Sequence, residues 1–180
     1  IDFAKLVNSH SPQTVLELGT ARGGTFLTLC RMSSDEALII SVDLPFGRGG
    51  GGYPKWKEPI LRSFAKPLQT IELLRADSHL DQTVEQVRNL LGDRQFDLIF
   101  IDADHSYTGA LRDFEMYSQL VRPGGLICMH DVVHNPASEE IEVDRVWSEV
   151  ADGMDFQVIR DPSNFPGYGI GVIRKALTKQ

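Results

Sequence analysis

Residues 14–24 read TVLELGTARGG, an apolar run that leads directly into a glycine-rich turn, and residues of helical periodicity follow. A strand that passes through such a turn into a helix opens a doubly wound α/β fold, and its backbone N–H groups can face a ligand. Dinucleotide-binding turns have the spacing G-x-G-x-x-G, whereas Ala21 stands at the second glycine position here and Glu17 would repel a diphosphate. The turn therefore favours a cationic cofactor such as S-adenosylmethionine, and the expected contacts are Glu17, Gly19, Thr20 and Gly23.

The rest of the chain alternates short apolar runs with segments of helical period, as in a mostly parallel sheet with helices on both faces. The predicted strands are Thr14–Leu18, Leu38–Val42, Ile71–Arg75, Phe96–Ile101, Leu126–Met129, Phe156–Ile159 and Gly169–Ile173. The predicted helices are Thr25–Arg31, Leu80–Leu91, Tyr107–Leu120 and Glu139–Val150, with another around Phe3, Leu6 and Val7. The last two strands are separated only by the turn-rich residues 161–168, so we expect them to pair antiparallel. We expect one domain over residues 1–180.

The composition argues against several classes of function. The 18 basic and 25 acidic residues give a net charge of −7, which disfavours the basic face that nucleic-acid binding needs. No apolar run approaches the roughly 18 residues of a membrane span, so no membrane partner is expected. Cys30 and Cys128 lie in apolar runs and are expected to be reduced core thiols of a cytoplasmic protein. The chain begins at Ile1 inside a predicted helix, which is compatible with a truncated or processed N-terminus.

Acidic residues follow the second and third predicted strands. Asp43 ends the second strand, where a carboxylate can accept hydrogen bonds from both hydroxyls of a ribose; the alternative is a turn with Pro45. Asp77 and Ser78 follow the third strand, where the carboxylate can accept from the amino group of adenine. The alternative there is that Ser78 caps the next helix.

Ordered motifs along the chain resemble those of class I S-adenosylmethionine-dependent methyltransferases. They are VLELGTARGGTFL, VDLP, ADS and the block FDLIFIDADHSYTGALRDFEMYSQLVRPGGLICMHDV at residues 96–132. The D-x-D-H-S-Y and H-D motifs of this block resemble the group of cephalosporin-hydroxylase-like proteins and sugar or macrolide O-methyltransferases. The resemblance spans about residues 13–175. It implies a Rossmann-like, seven-stranded sheet of order 3-2-1-4-5-7-6 with its last strand antiparallel, and it implies that Asp102 lies beside the methionine end of the cofactor.

Acidic and histidine residues follow two consecutive predicted strands. Asp102, Asp104 and His105 follow the fourth strand, and His130 and Asp131 follow the fifth. Because the carboxyl ends of neighbouring parallel strands open onto one crevice, we expect these side chains to converge.

Two roles are open for these residues. Metal-dependent O-methyltransferases, which the cluster resembles, hold a metal at the Asp102 position and at a pair ending the next strand, so the predicted ligands are Asp102, His130 and Asp131. The expected ion is Mg²⁺ or Mn²⁺; Fe²⁺, Zn²⁺ or no metal stay open because histidine is a poor Mg²⁺ ligand. His105 matches the position of a general base in related enzymes, with a structural histidine as the alternative and His134 in reserve.

The leading functional hypothesis is methyl transfer from S-adenosylmethionine to an oxygen of a small-molecule acceptor, with Asp102 and His105 as catalytic residues. The alternatives are N-methylation, a NAD-dependent oxidoreductase and a non-catalytic cofactor-binding module. The stretch FGRGGGG at residues 46–52 predicts a loop, either a plain connection or a lid that carries Tyr53 and Trp56. The acceptor itself cannot be read from the chain, and a homo-oligomer is compatible with it.

Overall fold

Seven strands form one sheet in the computed structural model, which describes residues 2–47, 51–160 and 167–177. The order is β3-β2-β1-β4-β5-β7-β6, and β7 alone runs antiparallel to its neighbours β5 and β6. The strands are β1 Thr14–Leu18, β2 Leu38–Val42, β3 Thr70–Leu74, β4 Phe96–Ile101, β5 Val121–Met129, β6 Asp155–Ile159 and β7 Ile170–Arg174. The fold class and strand order implied by the sequence are confirmed.

Helices cover both faces of the sheet. They are α1 Asp2–His10, α2 Gly24–Met32, α3 Glu58–Arg62, α4 Asp81–Leu91, α5 Tyr107–Ser118 and α6 Val143–Val150. A 3₁₀ turn at Lys55–Lys57 precedes α3. No helix in these described ranges has the length and apolar character that a membrane crossing requires.

The two faces of the sheet carry separate apolar cores because side chains alternate along each strand. Leu16 and Leu18 of β1 face the core that α4, α5 and α6 cover, whereas Val15 faces the core that α1 and α2 cover. Every residue of β1 and β2 is buried, as expected for central parallel strands. Each fully buried aliphatic side chain contributes about 1.5–3 kcal/mol to stability, so these strands form a rigid frame for the loops at their ends.

Two predicted elements differ from the structure by more than two residues at one end, and one helix was not predicted. β5 begins at Val121, five residues before the predicted start at Leu126, because Val121 is buried and pairs with Phe96 across a register shift. α6 begins at Val143 rather than Glu139, because the N–H of Glu142 donates to the carbonyl of His105 at 2.8 Å and ties the chain to another loop. The short α3 was not predicted. Of the predicted turn 161–168, residues 161–166 lie outside the described residues.

The carboxyl ends of β1 to β5 meet at one edge of the sheet. Backbone hydrogen bonds continue past the strand ends and align the loops that follow, namely Gly19 N to Val42 O, Asp43 N to Leu74 O, Asp102 N to Leu18 O and His130 N to Ile101 O. The acids predicted to act together therefore lie on the same edge.

Candidate active site

A buried carboxylate lies beneath the glycine-rich turn that follows β1. Glu17 has no exposed surface; its Oε2 accepts from Thr20 Oγ1 at 2.7 Å, while its Oε1 has no hydrogen-bond partner. Thr20 Oγ1 also lies 2.6 Å from Ser41 Oγ. Burial raises the pKa of Glu17 from 4.5 to about 8, the bond from Thr20 opposes this, and the charges of Asp102 and Asp43 add to it. A cation bound at the turn would lower the pKa of Glu17 and favour its ionised form.

Two glycines of the turn are required by packing within the protein. Gly19 has φ +86°, and a Cβ there would collide with the backbone carbonyl of Asp102, which approaches from the end of β4. Gly23 has the same φ at the N-cap of α2, and a Cβ there would lie 2.7 Å from a Leu61 methyl carbon. The sequence motif reflects close approach of protein segments as well as room for a ligand.

Asp43 is almost fully buried and accepts three backbone hydrogen bonds. Its Oδ2 accepts from Ala21 N at 3.1 Å and Tyr53 N at 3.2 Å, and its Oδ1 accepts from Gly52 N at 3.2 Å. Burial raises the pKa of this carboxyl. These bonds lower it but do not outweigh burial, so the pKa stays above its ordinary value. Asp43 therefore joins the cofactor turn to the loop after β2, and a ribose that uses this carboxylate must replace some of these donors.

The predicted lid is only partly described, since residues 48–50 lie outside the described residues. Of the two aromatic side chains expected to cover the site, Tyr53 is already buried, and Trp56 is 67 % exposed. The ordering of this loop on ligand binding stays a prediction, which now concerns Trp56 rather than Tyr53.

Asp77 is accessible, and Ser78 is not a helix cap. The Asp77 side chain is 40 % exposed, and its Oδ1 accepts from His79 N at 2.9 Å. The N-cap position of α4 is occupied by Leu80 without a side-chain hydrogen bond, which excludes the capping role for Ser78. The carbonyl of Ser78 instead accepts from Tyr117 Oη at 2.8 Å.

Asp102, His105, His130 and Asp131 converge as predicted. His105 Nε2 lies 3.2 Å from Asp102 Oδ1 and 3.7 Å from Asp131 Oδ2. His130 Nδ1 lies 3.4 Å from Asp102 Oδ1 and 3.0 Å from Asp131 Oδ1. Neither His130 Nδ1 nor Asp131 Oδ1 forms a hydrogen bond, despite the short distance between them. Asp131 has φ +58°, a left-handed conformation that is rare for a residue with a side chain. Strained backbone and unpartnered buried polar atoms are typical of functional sites.

The charges of the cluster are balanced between two acids and two imidazoles. Burial lowers the pKa of His130, but the nearby carboxylates of Asp102 and Asp131 outweigh it and raise that pKa to about 10. The hydrogen bond to Asp102 raises the pKa of His105 against the effect of burial. Burial raises the pKa of Asp102, but its hydrogen bond to His105 and the nearby imidazole of His130 outweigh that effect and lower it.

The metal-ligand geometry favours a different set from the one predicted. Asp102, His105 and Asp131 each offer a ligand atom, and these atoms all lie within 4.8 Å of one another. The histidine in this candidate ligand set is His105, whereas the sequence suggested His130. A role for His130 as a ligand stays a prediction.

Two other predicted candidates lie apart from these contacts. Asp104 Oδ1 accepts from Ser106 N at 2.9 Å, and its carboxyl group packs against Gly109. His134 is 71 % exposed and pairs with Asp144 of α6 at 2.9 Å.

Two polar residues that sequence reasoning missed support the site. Ser41 belongs to the buried chain beneath the turn, and its only signal was a hydroxyl inside the apolar strand LIISV. Glu142 accepts from Tyr107 N at 3.1 Å and donates its own N–H to the carbonyl of His105, so it fixes the loop that carries His105. Its place inside a predicted helix concealed this role.

Comparisons with known proteins agree with this architecture. No curated protein sequence matches the chain significantly. Among solved structures, an O-methyltransferase from Bacillus cereus in complex with SAH is 21 % identical, with a TM-score of 0.70, and the match covers 97 % of this chain and 79 % of that one. The O-methyltransferase TomG from Streptomyces achromogenes, involved in tomaymycin synthesis and in complex with SAM, is 17 % identical, with a TM-score of 0.64 and coverages of 95 % and 77 %.

At these identities the structural matches show the fold. The sequence adds independent information, since a family model described as a methyltransferase domain matches residues 16–132, which is more than half of the chain. The matched range begins in β1 and ends just after Asp131, so it includes every residue placed above in the turn, at the strand ends and in the Asp102–His105–Asp131 cluster. The chain belongs to the methyltransferase domain family.

Proposed function

We propose that this protein transfers a methyl group from S-adenosylmethionine to an oxygen atom of a small-molecule acceptor. The observation that carries the proposal is the position of His105 between two carboxylates at the ends of β4 and β5, with Nε2 3.2 Å from Asp102 and 3.7 Å from Asp131. An oxygen acceptor must lose a proton as it is methylated, and this cluster can take it.

The cofactor side of the proposal rests on the acids at the strand ends. S-adenosylmethionine carries a sulfonium and an ammonium, and such a cation would favour the ionised form of Glu17, whose Oε1 is unpartnered beneath the turn. Asp43 is suited to the ribose hydroxyls, and the exposed carboxylate of Asp77 to the adenine amino group. A nicotinamide dinucleotide fits poorly, because its anionic diphosphate would oppose the ionisation of Glu17, which a cationic cofactor would favour.

His105 is the proposed base. Its Nε2 is engaged by Asp102, and no partner of Nδ1 is found among the described residues, so Nδ1 is the atom that would receive the acceptor proton. Asp102 would stabilise the imidazolium that forms. A nitrogen acceptor needs no such base, and a non-catalytic module needs no such cluster, so both alternatives are disfavoured.

The same residues also fit a divalent cation. Three ligand atoms lie within 4.8 Å of one another, and Oδ1 of the buried Asp131 lacks a hydrogen-bond partner. Asp102, His105 and Asp131 would hold the ion, and a nitrogen ligand beside two carboxylates suits Mn²⁺ or Zn²⁺ better than Mg²⁺. A metal ion here would lower the pKa of the acceptor hydroxyl.

The acceptor is expected to be a small molecule in the cytoplasm rather than a nucleic acid, since the chain carries a net charge of −7. Profiling methyl transfer from S-adenosylmethionine over a library of alcohols, phenols and sugars tests the reaction directly. Activity towards amines alone would contradict the oxygen assignment.

The catalytic roles are tested with a variant and a chelator. His105→Ala should lower turnover about 10²- to 10⁴-fold and leave S-adenosylmethionine affinity unchanged, because the imidazole faces the acceptor. Loss of wild-type turnover in chelator, restored by Mn²⁺ or Zn²⁺, would assign His105 as a ligand, and turnover that survives chelator would assign it as the base. His10→Ala, at the end of α1, is the matched control. Full activity of His105→Ala would refute both roles.

A further inference from the structure

The loop between β3 and α4, residues 77–80, is held by side chains of α5. Tyr117 Oη donates to the carbonyl of Ser78 at 2.8 Å, and Arg112 donates to the carbonyl of His79 at 2.8 Å. The imidazole of His79 points into the contact, with Nε2 3.4 Å from Asp113 Oδ1 and 3.2 Å from the carbonyl of Gly109. This loop includes the exposed Asp77, so α5 controls where that carboxylate lies.

Asp113 makes this contact unusual. Its side chain has no exposed surface, and neither carboxylate oxygen has a hydrogen-bond partner. A buried acid without full pairing destabilises a fold, and an apolar residue would serve helix packing better. The imidazole of His79, which belongs to the loop before α4, lies 3.4 Å from Asp113 Oδ1. When it is protonated, it offsets the cost of burying this carboxylate.

The charged groups around His79 come from three segments. Asp113 and Arg112 belong to α5, Asp77 precedes His79 in its own loop, and Asp104 lies in the loop after β4. The close contact with the Asp113 carboxylate raises the pKa of His79, burial opposes this, and the charge of Asp77 adds to it. The imidazole of His79 therefore lies between two acids, the buried Asp113 and the more exposed Asp77.

We propose that His79, held by Asp113, is a positioning residue that orients Asp77 for the amino group of adenine. The inference rests on the proposed function, since it needs an adenine-containing cofactor. The backbone N–H of His79 donates to Asp77 Oδ1 at 2.9 Å, and the imidazole Nδ1 of His79 lies 3.9 Å from the same oxygen. No donor to Oδ2 of Asp77 is found in the described part of the chain, so that oxygen is available to the cofactor.

An oriented carboxylate discriminates between purine bases. The amino group of adenine donates a hydrogen bond, whereas hypoxanthine carries a carbonyl oxygen at that position, which a carboxylate repels. A site built for a donor rejects the analogue that lacks it, because its own polar group is left unpaired. The discrimination depends on the orientation of Asp77 and hence on His79.

The test compares two nucleoside probes by calorimetry on the full chain at pH 7. S-adenosylhomocysteine has a 6-amino group and an unprotonated N1, whereas S-inosylhomocysteine has a 6-oxo group and an N1–H. Wild type should bind the adenosine compound about 10- to 100-fold more tightly. His79→Gln and Asp113→Asn should each reduce that ratio to about threefold or less, through weaker binding of the adenosine compound and unchanged binding of the inosine compound. His10→Gln, which removes an imidazole from α1, should keep the wild-type ratio.

The outcomes separate this inference from the proposed function. Failure of wild type to bind either compound would refute the proposed function, and the inference with it. Wild-type discrimination that persists in both variants would overturn the role of His79 and leave the function standing. Equal weakening of both compounds would show that the pair only supports the fold, which also overturns the inference. Two variants are used because Asp113→Asn changes a core position, while His79→Gln acts from a partly exposed one.

Discussion

Glu17→Gln should make the free protein more stable at high pH while weakening cofactor binding. Burial raises the pKa of Glu17 from 4.5 to about 8 in the folded protein, so the folded state resists its ionisation and the unfolded state does not. Stability is therefore lost as the pH rises from the unfolded value towards the folded one. Glutamine is uncharged at every pH and escapes this loss.

The magnitude follows from linkage at about 1.36 kcal/mol per pKa unit. With pKa values of 4.5 and about 8, the ionisation costs wild type about 2 kcal/mol at pH 6 and about 4–5 kcal/mol at pH 8.5. Relative to Glu17→Gln, wild type should lose about 2–3 kcal/mol over this range. The difference across pH is more informative than either value alone, because constant side-chain differences cancel.

Urea unfolding followed by Trp147 fluorescence measures this difference, because Trp147 is buried in the core. The series starts at pH 6, since the isoelectric point is near 5.2. Glu36→Gln, which removes an exposed carboxylate, is the matched control and should parallel wild type. If Glu17→Gln also runs parallel to wild type, the buried acid does not limit stability and the reasoning fails. In the same variant, S-adenosylmethionine should bind at least about tenfold more weakly, because a charge-assisted contact is lost.

Three further changes test the site. Asp43→Ala should weaken S-adenosylmethionine binding about 10- to 150-fold by calorimetry and speed amide exchange at Gly52 and Tyr53; an unchanged dissociation constant in a folded variant would remove the ribose role. Gly19→Ala should cost more than about 3 kcal/mol in urea unfolding because of its φ and its contact with the Asp102 carbonyl, whereas Gly24→Ala, with open space around it, should stay within about 0.5 kcal/mol. Asp131→Gly should relieve the left-handed strain and stabilise the free protein by about 1 kcal/mol while abolishing turnover; retained turnover in assays of methyl transfer would exclude Asp131 from the site.

The sheet could be predicted from the sequence because its central strands are buried on both faces. Runs such as LIISV and FDLIFI have no polar alternation, and the helices between them carry apolar stripes, which is typical of a parallel sheet. The early start of β5 could not be predicted. Arg122, Pro123 and two glycines read as a turn, and only the pairing of Val121 with Phe96 makes them part of a strand.

The convergence of Asp102, His105 and Asp131 could also be predicted, because the carboxyl ends of neighbouring strands share one edge. The sequence did not allow a prediction of which histidine faces which acid. That pairing depends on side-chain rotamers and on the left-handed backbone of Asp131, and neither has a local sequence signal. The pairing of His79 with Asp113 was missed for a similar reason, since it joins a loop to a helix 34 residues further along the chain.

Two residues at the carboxyl ends of the strands and one residue of α5 oppose the stability of the free protein. Glu17 is a buried acid with one unpartnered oxygen, Asp113 is a buried acid whose oxygens lack hydrogen bonds, and Asp131 has a strained backbone. The central strands β1 and β2 are buried throughout and mostly apolar, so they form a stable frame that tolerates these costs. A bound cationic cofactor would offset the cost of burying Glu17. An acceptor or a metal ion would contact Asp131, whose backbone is strained. Substitutions that remove these costs should therefore stabilise the free protein and weaken its complexes, a pairing of effects that random damage to the core would not produce.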